Sequence, residues 1–70
     1  MMPLSLAEYG EEKIIRRVSG SPEMRKHLED LGFVAGTTIQ VISSLDGNLI
    51  VKVKESRIAI NDEMARKIMV

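Results

Sequence analysis

The feature that most constrains this chain is a tight turn between two short apolar runs. Leu45-Asp46-Gly47-Asn48 places Asp-Gly, the pair suited to a two-residue hairpin, between Thr38–Ser44 and Leu49–Lys54. Ile39 and Val41 alternate with polar neighbours on one side of the turn. Leu49, Val51 and Val53 alternate with Lys52 and Lys54 on the other. An antiparallel hairpin is therefore the centre of any fold this sequence adopts.

The rest of the chain is punctuated in the same way. Leu4 to Gly10 is expected to form one helical turn or a tight loop. Glu11 to Val18 reads as a strand whose adjacent Ile14 and Ile15 break the alternation, so a bulge is predicted near Arg16-Arg17 to bring Ile15 and Val18 onto one face. Ser21 is a suitable N-cap and Pro22 suits the first helical position. Met24, Leu28 and Leu31 then recur at i, i+4 and i+7, and Gly32 can close the helix in the left-handed conformation. Glu55-Ser56 is read as a second tight turn, followed by a short strand, Arg57 to Ile60. Asn61 is expected to cap a short helix over 62–67, and Ile68-Met69-Val70 can form a closing strand. With 70 residues, strands this short joined by tight hairpins cannot make a two-sheet sandwich of useful size. The predicted fold is a small, mainly-β, partly open barrel of about five short strands. One helix follows the first strand and a second lies near the C-terminus, all in a single domain spanning residues 1–70.

Composition narrows the function. A chain of 70 residues buries only about 60% of its unfolded surface, which leaves little stability for a deep catalytic cleft. There is no cysteine, so disulfides and thiolate metal sites are excluded, and a reducing, cytoplasmic setting is expected. Neither a signal peptide nor an apolar run of ~20 residues is visible, so no direct membrane insertion is expected. Ten basic residues balance ten acidic ones, and the aromatics are only Tyr9 and Phe33. Nucleic acid is therefore not an expected partner: phosphate binding needs uncompensated cations, and base stacking needs aromatic platforms. The same shortage of aromatics rules out a proline-rich-peptide groove.

No catalytic constellation emerges. The serines lie at turns or strand ends, and the single histidine, His27, has no evident orienting acid. The adjacent carboxylates Glu11-Glu12, Glu29-Asp30 and Asp62-Glu63 are accounted for by solvated faces, helix dipoles and an i, i+4 pairing of Glu29 with Arg25. No phosphate loop is present. For metal, the candidates are His27 and Glu23, one helical turn apart. They would hold Fe(II) only weakly, and the plain reading of His27 is structural. The apolar residues Ile42 and Ile50 depart from their strands' alternation, nearly symmetrically about the hairpin turn. They are covered by another element or form a docking patch. Arg16, Arg17, Arg25 and Lys26 make a basic cluster in sequence, either solvated or facing an acidic partner surface.

Three segments carry a family resemblance: Arg25-Lys26-His27-Leu28-Glu29-Asp30-Leu31-Gly32-Phe33-Val34-Ala35-Gly36, then Arg57-Ile58-Ala59-Ile60, then Ala65-Arg66-Lys67-Ile68-Met69-Val70. Their order and spacing resemble the FeoA family, ferrous iron transport protein A. Ala35 stands where that family usually has proline, and the Asp46-Gly47 hairpin is shorter than the loop of many members. The resemblance implies an SH3-like barrel and an accessory role for FeoB, the GTPase-coupled ferrous iron transporter, through contact with its cytosolic portion. A similar barrel occurs in iron-dependent repressors, but the DNA-binding half is absent from these 70 residues. The expected contact residues are Arg25, Lys26, Glu29, Phe33, Ile42 and Ile50. No cofactor is expected beyond a weak association with Fe(II). An Fe(II) carrier or sensor is the alternative function.

Overall fold

A computed structural model describes residues 1–70. A 3-10 turn at Leu4–Leu6 opens the chain. Six strands and two helices follow: β1 Glu12–Ile14, β2 Arg17–Val18, α1 Pro22–Asp30, β3 Thr38–Leu45, β4 Asn48–Val53, β5 Ser56–Ile60, α2 Asp62–Lys67 and β6 Ile68–Met69. The strands form an antiparallel four-stranded sheet in the order β1-β3-β4-β5 and a two-stranded ribbon, β2-β6. Together they make the partly open barrel that the spacing of strands and turns predicts.

The central hairpin closes on Asp46 and Gly47, whose φ values of 53° and 82° are those of a type I′ turn. The second turn is one residue earlier than expected. Lys54 and Glu55, not Glu55 and Ser56, form it, and Val53 pairs with Ser56. Lys54 there adopts a left-handed φ of 56°, a conformation unfavourable to a side chain with a Cβ.

The segment predicted as one bulged strand is two strands in two sheets. Ile15 exchanges backbone hydrogen bonds with the segment before β3: its N–H donates to Thr37 O at 2.9 Å and its O accepts from Gly36 N at 2.7 Å. The next residue leaves that sheet, and Arg16 N donates to Met69 O at 2.7 Å. No bulge is needed to bury Ile15, because the change of sheet turns it into the core. The bulge lies instead in β3: Val41 opposes Val51, Ser43 opposes Ile50, and Ile42 is the extra residue.

Helix α1 starts as its sequence predicts, with Ser21 Oγ accepting from Met24 N at 3.2 Å and Pro22 at the first position. It ends in a Schellman motif. Gly32 N donates to Glu29 O and Phe33 N to Leu28 O, both at 2.9 Å, with Gly32 at φ 105°. Asn61 caps α2 through Oδ1 to Met64 N at 2.8 Å. The ribbon is tied to α2 by Ser19, whose N and Oγ both donate to Lys67 O.

Every buried side chain is apolar. Ile39, Val41, Val51, Val53 and Ile60 come from the inner face of the large sheet, and Ile68 from the ribbon. Leu28 of α1, Phe33 just beyond that helix, Leu4 and Ala65 belong to the same cluster.

Candidate functional site

The register divides the four-stranded sheet into two faces. Side chains at paired positions point the same way, so Ile39–Val53 and Val41–Val51 look inward while Gln40–Lys52, Lys52–Arg57 and Ile50–Ala59 look outward. The outer face divides again along the strands. Towards the hairpin tip it is apolar: Ile42 and Ile50 are half-buried, Leu45 is 65% exposed and Ala59 is exposed. The β3 bulge causes this, because it puts Ile42 beside Ser43, the residue opposite Ile50. Ile42, unpaired at the bulge, and Ile50 thus lie on neighbouring strands towards the hairpin tip. The turn ending at Gly10 is stitched to the strand at this point: Gly10 N donates to Val41 O and Gln40 Nε2 to Gly10 O, both at 2.7 Å.

Away from the tip the same face is polar. Glu12, Thr37, Thr38, Gln40, Lys52 and Lys54 line a shallow concavity of about 340 Å³ with no hydrophobic wall. The ion pairs of the molecule lie elsewhere, at Lys13–Glu11 and Arg66–Asp62, both 2.7 Å. The cations of the outer face are thus without acidic partners.

The other predicted residues separate by location. Arg25, Lys26 and Glu29 are exposed on α1, together with His27 and Glu23. Neither Arg25–Glu29 nor any other pairing forms along that helix. Phe33 is a correction: it is 0% exposed and cannot contact a partner. It occupies the position after Gly32 where a Schellman motif directs a hydrophobic residue back onto the helix, and Leu28, its counterpart in that motif, is equally buried. His27 and Glu23 gain no third ligand, and nowhere do three His, Asp or Glu side chains converge as a metal ion would require. No serine, histidine and acid are hydrogen-bonded together, and no buried side-chain polar atom lacks a partner. No helix is long and apolar enough to cross a membrane.

Comparison with known proteins adds an identity to this geometry. The family model described as the FeoA domain matches residues 2–70. The Fe(2+) transport protein A of Methanocaldococcus jannaschii is 36% identical over 70 residues, spanning 100% of this chain and 85% of that one. A crystal structure of an iron uptake regulatory protein, FeoA, superposes with a TM-score of 0.87 at 33% identity, covering 96% of this chain and 89% of its own. FeoA of Stenotrophomonas maltophilia, solved with zinc and described as a procaryotic SH3 domain protein, has a TM-score of 0.85 at 21% identity, over 99% and 88% of the two chains. That likeness speaks to the fold alone, which is the SH3-like barrel. With its whole length matched and its barrel shared, the chain belongs to the FeoA family of ferrous iron transport proteins.

Proposed function

We propose that this protein is a cytoplasmic accessory module of ferrous iron uptake. It binds the cytosolic portion of an FeoB-type GTPase-coupled transporter through protein–protein contact and performs no catalysis itself. One observation carries the reading beyond the family's role: at the apolar end of the outer sheet face Leu45 is 65% exposed and Ile42 and Ile50 are only half-buried. Apolar side chains on the solvent face of a sheet cost solubility, and a partner surface is the usual reason for them. The exposed Arg25, Lys26 and Glu29 of α1 supply a second, charged contact. Iron is the transporter's cargo here. The Glu23–His27 pair offers Fe(II) two ligands at most, which favours weak association over carriage.

An NMR titration of the labelled protein with the soluble GTPase domain of FeoB from the same organism tests this. Shifts are expected at Ile42, Ile50 and their neighbours, and Ile42→Ser with Ile50→Ser should weaken binding roughly tenfold or more while the fold is kept. No shifts at high partner concentration, with and without nucleotide, would remove that domain as the target.

A further inference from the structure

Strand β5 is the last strand of its sheet, and its outer edge is unpaired. In a two-residue hairpin the residues flanking the turn exchange the ladder bonds, and hydrogen-bonded pairs then alternate. Val53–Ser56, Val51–Ile58 and Leu49–Ile60 therefore hold β5 to β4, and the N–H and C=O groups of Arg57 and Ala59 point away from the sheet. No backbone or side-chain hydrogen bond from the rest of the molecule reaches those groups.

The side chains along this edge are as uneven as the backbone. On the inner face the row Val41–Val51–Ile58 is fully buried at its first two members and only half-buried at Ile58. The row ends one strand short of full coverage. On the outer face Lys52 stands directly opposite Arg57, and Lys54 follows at the turn. Like charges directly opposite each other destabilise a sheet, and no acidic side chain is within ion-pair reach of these three. Edge cations do deter unwanted strand pairing. They deter a second copy of this edge in particular, because β5 laid on β5 would multiply the same charges. A segment of opposite charge meets attraction instead.

We infer that β5 is a strand-addition site for an extended acidic segment of a partner protein. Its backbone would pair with Arg57 and Ala59, its acidic side chains would lie outward beside Arg57 with Lys52 one strand further in, and its alternate apolar side chains would lie inward beside Ile58. The inference rests on the proposed partner-binding role only for the identity of the protein that supplies the segment.

The test uses this chain and synthetic peptides alone, so its failure is separable from failure of the transporter titration. The probe is a capped peptide of about eight residues, the length of an ordinary strand, alternating glutamate and valine. The comparison probes alternate lysine and valine, or carry an N-methyl group on every residue so that neither edge of the peptide can donate. With the acidic probe, the amide signals of Arg57 and Ala59 should shift and their hydrogen exchange should slow. Binding should fall about tenfold in Arg57→Glu, and fall again when salt is raised from about 0.05 M to about 0.5 M. Arg57→Glu replaces a like-charge pair with an opposite-charge one, so the fold is not weakened by it. No response to the acidic probe, an equal response to the lysine probe, undiminished binding of the N-methylated probe, or shifts confined to another face would each overturn the proposal.

Discussion

Phe33 shows how one side chain can be read in opposite ways. As one of two aromatics in a short chain it invites a role in recognition, yet its place directly after Gly32 commits it to the core. The left-handed glycine reverses the chain, and the reversal returns the next side chain to the helix it has just left. Removing the ring should therefore test the fold and not the partner. Phe33→Ala is expected to cost about 3–5 kcal/mol, the usual range for a buried aromatic. That is comparable to the whole net stability, about 3–5 kcal/mol, that a core of this size supplies. Urea denaturation followed by circular dichroism should find the variant largely unfolded at 25 °C, with Phe33→Leu folded and only mildly weakened. A Phe33→Ala variant as stable as the parent would mean that the ring is not part of the core.

The elements differ in how far local sequence determines them. Helix α1 has both ends written in neighbouring residues, Ser21-Pro22 and Gly32, and the hairpin has its turn written in Asp46-Gly47; each forms where expected. The division of residues 12–18 between two sheets has no such local mark. It depends on Thr37 and Gly36 holding Ile15 while Met69 takes Arg16, contacts made by distant residues. The candidate site was legible to the same extent. The departure of Ile42 and Ile50 from their strands' alternation was visible, but the β3 bulge that leaves Ile42 unpaired beside Ser43, opposite Ile50, had no mark in the sequence. The meeting of Lys52 with Arg57 depended on the second turn, where a one-residue displacement changes which side chains face each other. The caps allow a quantitative check. Ser21→Ala and Asn61→Ala should each cost about 1 kcal/mol, since each leaves one helix N–H without its acceptor. The loss should appear as a lower urea midpoint at unchanged slope, and Ser21→Thr should restore most of it. An unchanged midpoint for either alanine variant would mean that solvent replaces that cap without cost.

At the scale of the molecule, the chain is held as one body by a short segment shared between its two sheets. The ribbon of β2 and β6 is only two residues wide in each strand, too small to be stable alone. It is bound to the larger sheet covalently through Ile15-Arg16 and by burial of Ile15 and Ile68 in the common core. It is bound to the opposite end of the chain as well: Met2 and Val70 exchange both of their backbone hydrogen bonds, at 2.8 and 2.9 Å. Opening the ribbon would expose Ile68 and Val70 and uncover Ile15, with no remaining structure to shelter them. The two sheets should therefore unfold together, as small chains with one core do. Native-state hydrogen exchange measures this residue by residue. The amides of Arg16, Ser19 and Val70 should open with the same free energy as those of Val51 and Val53 in the central hairpin, and with the same denaturant dependence. Values lower by more than about 1 kcal/mol, with a smaller denaturant slope, would mean that the ribbon opens alone. The core would then end at the large sheet, and the segment from Arg16 to Val18 would serve as a hinge and not as a tie between the two sheets.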